Sequence, residues 1–221
     1  MDIRKAEYDQ LKRMLTNWLE HPTQELEATF GEGGQVNSTT FAAIGKRLKN
    51  RGYTSIIQED KLNIITPKAI RISLTGLGVV QHYCKDDRLA GKEFSAMIKD
   101  KSGSSDTLDL EDYNVRVKMR NEREVSQTDT EVRELLDQWA VQQKAFRLLR
   151  RWTFRGDGLR FDLSMVKQTQ RNSRGEYRWA TKFTQQDISK ELPVYEVEVE
   201  LERMDDDTPE KAMQRLIKGV G

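Results

Sequence analysis

The stretch Tyr195–Glu202 reads YEVEVELE, with glutamates at 196, 198, 200 and 202 and Val197, Val199 and Leu201 between them. A side-chain period of two belongs to a β-strand, so the carboxylates share one face and the apolar residues the other. Carboxylates two apart on a strand lie only ~7 Å from one another. At that spacing each neighbouring pair repels by ~2 kcal/mol for an effective dielectric of about 20. Such a face calls for positive charge opposite it, from a metal ion or a basic wall. The competing reading is the solvated edge of a sheet, where charge discourages aggregation.

A second acidic strand lies far upstream. Glu25–Gly31 (ELEATFG) puts Glu25 and Glu27 on one face and Leu26 and Ala28 on the other. Brought together in one sheet or barrel, the two strands would converge their carboxylates on a hard divalent cation. Mg²⁺ or Mn²⁺ suits, because both take oxygen ligands and keep waters for a phosphate substrate. Basic strands supply the counterpart. In Tyr113–Arg120, Arg116, Lys118 and Arg120 alternate with Val115, Val117 and Met119; in Lys144–Phe154, Arg147, Leu149, Arg151 and Thr153 share a face. Ala69–Leu74 sets Arg71 and Ser73 against Ile70 and Ile72, and Leu159–Gln168 sets Arg160, Asp162 and Ser164 against Phe161, Leu163 and Met165.

The remaining punctuation is ordinary. Helices are predicted over 3–20, from Ser38 as cap to about Asn50 with Gly52 as terminator, over 76–85, from Thr130 to about Gln142, and after Thr208 and Pro209. Tyr53–Gln58 and Leu62–Thr66 are expected to form a hairpin across Glu59-Asp60-Lys61. Asp100–Asp109 reads as a mobile loop, and Tyr177–Phe183 as a strand after an Arg174-Gly175 turn. Gly31, Gly33 and Gly34 read as a turn, since the Lys-Ser/Thr of a phosphate-binding P-loop does not come after them.

The chain's 221 residues suit a single domain with a real core. Charged residues make up 33% at a net charge of only +1, so a protein that merely coats nucleic acid is disfavoured. One cysteine, Cys84, leaves no internal disulfide and points to a reducing compartment. No stretch approaches the ~20 apolar residues of a membrane span, and no signal-peptide core opens the chain. The expectation is a soluble, intracellular protein with no membrane partner.

A one-sided sheet would mix lysine, threonine and glutamate on its wet face. Faces of uniform sign fit a closed antiparallel barrel better, with apolar residues directed outward into covering helices and charges directed into a hydrophilic lumen. An acidic floor for a metal and basic walls for an anion together suit a polyphosphate. Histidine catalysis is disfavoured, because His21 and His82 lie outside the charged strands. Cysteine phosphatase chemistry is too, because no arginine-bearing loop comes after Cys84. No Lys-x-Asp-Gly nucleotidyl-transfer motif is present.

ELEATFG and YEVEVELE, with RISL, YNVRVKMRNE, FRLLRRWTF and RFDLSMVK between them, resemble the metal-dependent RNA triphosphatases of the triphosphate tunnel metalloenzyme family. The likeness covers roughly 20–205 and is strongest to the triphosphatase domain of capping enzymes from large DNA viruses. It implies an α+β fold, a closed eight-stranded antiparallel tunnel with flanking helices, forming one domain over 1–221. It implies removal of the γ-phosphate from 5′-triphosphate RNA, the first step of mRNA capping, with Mg²⁺ or Mn²⁺, and nucleoside triphosphate hydrolysis with manganese. Carried onto this sequence, Glu25, Glu27, Glu196, Glu198 and Glu200 are metal-strand residues; which of the last three touches the metal stays open. Arg71, Arg116, Lys118, Arg147 and Arg151 would hold phosphates. Asp162 and Lys167 fall where the family has further essential charges, although Lys167 needs a bulge to share a face with Asp162. Glu122 and Glu124 are candidates for orienting the attacking water. The implied partners are the 5′-triphosphate RNA end and guanylyltransferase and methyltransferase domains in the same chain or complex. The abrupt end at Gly221 suits the N-terminal part of a longer capping enzyme. The implied location is the host cytoplasm or the virion if the source is viral. Two alternatives remain. One is a tunnel enzyme acting on tripolyphosphate or on a nucleoside or thiamine triphosphate, disfavoured because Thr29 stands where that branch has the lysine of ExExK. The other is a non-catalytic barrel that binds RNA or a protein, disfavoured because buried charge is costly unless paired or functional.

Overall fold

The structure, a computed structural model, describes residues 3–99 and 106–221. Its strands are β1 (Gln24–Phe30), β2 (Thr54–Ile65), β3 (Ile70–Thr75), β4 (Ser95–Lys99), β5 (Thr107–Leu110), β6 (Val115–Val125), β7 (Ala145–Gly156), β8 (Leu159–Gln168) and β9 (Val194–Leu201). The helices are α1 (Lys5–Glu20), α2 (Ser38–Asn50), α3 (Leu77–Asp86), α4 (Thr130–Asp137) and α5 (Pro209–Val220).

Eight strands run β1-β9-β8-β7-β2-β3-β4-β6, and β6 pairs back onto β1, closing an antiparallel barrel. Strand β5 is the additional one: it takes the edge of β6 at Val115–Lys118, while β4 takes the same edge at Glu122–Val125. Alternation along each strand sorts the side chains. Outward-facing Leu26, Ala28, Val117, Met119, Phe161, Leu163, Val197 and Val199 pack with Leu11, Met14, Leu15 and Trp18 of α1 and Ala212, Met213 and Leu216 of α5. On the opposite side Leu62, Ile64, Ile70, Ile72 and Phe146 pack with Val80 and Tyr83 of α3 and Val132 and Leu135 of α4. The apolar cores therefore lie outside the barrel wall, and the lumen is left to polar groups. This is the closed barrel that the charge pattern and the family resemblance imply.

Several elements differ from the sequence expectation. Strand β2 is continuous through Glu59-Asp60-Lys61, which pair with Arg151, Arg150 and Leu149 of β7 instead of turning. Arg150 Nε meets Asp60 at 2.9 Å and Lys61 Nζ meets Glu59 at 2.8 Å, so the charges that read as a turn are paired within the sheet. Strand β4 has no counterpart in the sequence expectation. Of the expected loop at 100–109, residues 100–105 lie outside the described residues, and Thr107–Leu110 is strand β5. The α2 cap is Asn37, whose side chain accepts from the Thr40 N–H at 2.8 Å, rather than Ser38. Helix α4 stops at Asp137, after which Trp139 turns in to donate from Nε1 to the Asp87 carbonyl at 3.1 Å. Residues 177–183 form no regular strand; single bridges at Arg171–Tyr177 and Lys144–Ala180 tie down a strap between β8 and β9. Gly31, which leaves β1 at φ +85°, has no room for a side chain, because a Cβ there would meet the Gln35 carbonyl oxygen at 1.7 Å.

Candidate active site

The lumen holds a cavity of about 760 Å³ lined by Glu27, Glu196 and Glu198 interleaved with Arg71, Lys118, Arg120 and Arg147. The register explains the acidic residues. Strand β1 lies beside β9 with Glu27 opposite Glu200 and Thr29 opposite Glu198. Carboxylates facing each other across a ladder, at about 5 Å, repel by about 3 kcal/mol at an effective dielectric of about 20. Arginines from the flanking strands offset this. Arg147 meets Glu196 at 2.6 Å, Arg151 meets Glu198 at 3.4 Å, Arg120 meets Glu27 at 3.2 Å, and Arg160 contacts Glu200.

Asp162 is buried between these groups and accepts from Thr153 Oγ1 at 2.6 Å, Arg151 Nη1 at 2.8 Å and Arg160 Nε at 3.3 Å. Its carboxylate fixes two guanidinium groups in the wall and does not itself line the cavity. Arg71 donates to Glu122 at 2.8 Å, which holds that glutamate against the β3–β4 side; Glu124 is exposed. Besides Arg215 Nε outside the lumen, two buried donors in the barrel, Arg71 Nε and Arg147 Nε, have no acceptor among the described residues. A buried donor without an acceptor costs about 1–3 kcal/mol, and both belong to arginines that line the cavity.

Electrostatics match the crowding. Burial pushes the Glu200 carboxyl up to about 7; Arg160 opposes the rise, and Glu25, Asp162 and Glu27 add to it. Burial also raises Glu196, against the pull of Arg147. Lys118 is lowered by burial and by Arg120. Glu196 and Glu200 thus lie above the ordinary carboxyl range chiefly because they are buried. A set of Glu25, Glu27, Glu198 and Glu200 carboxylates offers only hard oxygen donors, so its chemistry fits a divalent cation such as Mg²⁺ or Mn²⁺. Among the described residues no three carboxylate, imidazole or thiolate groups stand in an arrangement that would hold an ion, the glutamates being drawn to arginines.

Glu25, Glu27, Arg71, Lys118, Arg147, Arg151, Asp162, Glu196, Glu198 and Glu200 all fall on the lumen face. Two expected residues do not join them. The β7–β8 register is unbroken, so Lys167 pairs with Leu148 on the outer face, where its Nζ donates to the Ser189 carbonyl at 2.6 Å. No bulge brings it in. Arg116 lies at the end of β6, half-exposed, and donates to Asp109 of β5 at 2.5 and 2.9 Å. Arg120 and Arg160 join the site without having been expected there, although each shares the parity of an expected residue, Lys118 and Asp162 respectively. Cys84 stands apart, its thiol pushed up to about 11 by burial.

A closed antiparallel barrel with outward cores and a charged lumen defines the class of architecture. No protein-family model matches the sequence, and no curated protein matches it. Solved structures share the fold. The RNA triphosphatase domain of a trifunctional mimivirus mRNA capping enzyme superposes with a TM-score of 0.66 at 16% identity, covering 99% of this chain and 99% of that one. The S. pombe Pct1 RNA triphosphatase gives a TM-score of 0.57 at 13% identity, covering 98% of this chain and 86% of that one. The same yeast enzyme in complex with the Spt5 CTD gives 0.54 at 12% identity, over 98% and 87%. The family resemblance carried by the charged strands thus holds at the level of fold.

Proposed function

We propose that the chain is a divalent-metal-dependent RNA 5′-triphosphatase that removes the γ-phosphate from 5′-triphosphate RNA. One observation carries this reading: Arg71 and Arg147 line the lumen with buried donors left over, in the same cavity as Glu27, Glu196 and Glu198. A polyphosphate chain supplies the acceptors, and a metal supplies the cation. The fold shared with two RNA triphosphatases over nearly the whole chain supports it.

In this reading Arg71, Lys118, Arg120 and Arg147 bind the phosphate oxygens and neutralise charge on the leaving diphosphate. Asp162 keeps Arg151 and Arg160 aligned with Glu198 and Glu200. Glu25, Glu27, Glu198 and Glu200 would hold Mg²⁺ or Mn²⁺, with Glu196 beside them; the bound cation would polarise the phosphoryl group. Glu122, held by Arg71, is the candidate for orienting water in line. Water oxygen bonds to the γ-phosphorus, the bond from that phosphorus to the bridging oxygen breaks, and the water proton passes to solvent. The barrel and its helices form the single catalytic domain, which would open the capping sequence ahead of guanylyl and methyl transfer by other domains. Manganese-dependent hydrolysis of free nucleoside triphosphates is expected from the same site.

End-group analysis tests this. RNA carrying an α-labelled 5′-triphosphate should be converted to a 5′-diphosphate end with one inorganic phosphate released per end. Pyrophosphate as product, or turnover of tripolyphosphate with none of RNA, would overturn the assignment.

A further inference from the structure

The strap between β8 and β9 belongs neither to the barrel wall nor to the charged floor, yet it borders the lumen. It carries a second cavity of about 670 Å³, lined among others by Gln170, Arg178, Gln186, Asp187 and Glu191. Gln168 and Trp179 line both this cavity and the lumen, so the two meet at that wall. Trp179 is 38% exposed. Its indole packs edge-on against Tyr177 at 5.6 Å between centroids, and the Arg171 guanidinium lies 4.0 Å over the Tyr177 ring. The array is braced: Arg171 Nη1 donates to the Gly175 carbonyl at 2.6 Å, Gln186 Nε2 to the Arg178 carbonyl at 2.6 Å, and Arg178 Nη1 to Gln170 Oε1 at 3.1 Å.

A single exposed tryptophan needs no explanation. An exposed ring packed on a tyrosine that carries an arginine over its face is different when it borders a charge-lined cavity. Aromatic faces interleaved with basic side chains suit single-stranded nucleic acid: bases stack on rings while guanidinium groups meet phosphodiesters. Stacking is sequence-tolerant, because every base has a π-face. Over 169–193 the basic side chains, among them Arg171, Arg174 and Arg178, outnumber the acidic ones, which suits a polyanion better than a protein segment or an apolar surface.

We propose that Trp179, with Tyr177 and Arg171, forms a stacking platform for the first unpaired nucleotides of single-stranded RNA, whose 5′ end enters the lumen from this side. The inference rests on the RNA 5′-triphosphatase reading and adds to it the residues that select RNA over a bare polyphosphate. Trp179 is the specificity-determining side chain.

The test compares wild type with Trp179→Ala and Trp179→Phe, all checked for an unchanged thermal unfolding transition. Fluorescence anisotropy of a labelled single-stranded 5′-triphosphate RNA in EDTA measures binding without turnover. Hydrolysis of the same RNA and of inorganic tripolyphosphate with Mn²⁺ measures selectivity. Trp179→Ala should weaken RNA binding about tenfold and lower the RNA-to-tripolyphosphate ratio of kcat/KM by a similar factor; Trp179→Phe should restore most of both. Unchanged RNA binding and ratio in Trp179→Ala, or no RNA binding by wild type, would overturn the platform. Trp179-dependent RNA binding without hydrolysis would support the platform while sinking the triphosphatase reading. Hydrolysis indifferent to Trp179 would do the reverse.

Discussion

The ammonium of Lys144 lies fully buried outside the lumen, donating to the Trp139 carbonyl at 2.6 Å and sitting 4.7 Å from the centroid of that tryptophan. Burial pulls it down from 10.5 to about 8, with Asp87 opposing. Between those values the unfolded chain binds more protons than the folded one, so stability rises with pH across the window. The expected rise is on the order of 3 kcal/mol. Urea unfolding at pH 8 and pH 10 should show it in wild type and lose it in Lys144→Met; equal slopes in both would contradict the assignment. Lumen residues make the contrasting case. Arg147→Ala removes a cavity-lining guanidinium and should lower kcat/KM for triphosphate RNA by about 10²-fold. Lys167→Ala, whose side chain points away, should change it by less than about twofold, and similar losses in the two would refute the register argument. Period-two charge makes Arg147 legible from sequence. Lys167 enters the expected site by resemblance against its own parity, and parity is the better guide. The arginine partners of the glutamates are not legible, because strand order decides which guanidinium meets which carboxylate.

At the scale of elements, the strands with an alternating face are readable, and the charged middle of β2 is not. Residues Glu59-Asp60-Lys61 resemble a turn because nothing in the local sequence announces that β7 brings Arg150 and Arg151 alongside them. Strand β4 is only five residues long, too short for alternation to declare itself. The exit from β1 is readable as a turn, but not its strictness. Gly31 combines a positive φ with a Cβ position that overlaps the Gln35 carbonyl. Gly31→Ala is therefore expected to destabilise the protein by more than about 2 kcal/mol. A lowered urea midpoint at unchanged slope would check this, and wild-type stability would contradict it. Activity should fall with it, because the turn sets where Thr29 and Glu27 end against β9.

For the whole molecule, the barrel is built inside out: its apolar cores lie between wall and helices, and the interior is reserved for charge. That arrangement costs self-repulsion among glutamates and leaves arginine donors buried, so it makes physical sense as a container for a polyphosphate and a cation together. The most direct test is phosphate release from γ-labelled 5′-triphosphate RNA with Mg²⁺, with Mn²⁺ and with EDTA, run beside Glu198→Ala. Release with either metal, none with EDTA and at least a 10²-fold loss in the folded variant is the predicted result. Release that survives EDTA, or a Glu198→Ala protein as active as wild type, would contradict the account.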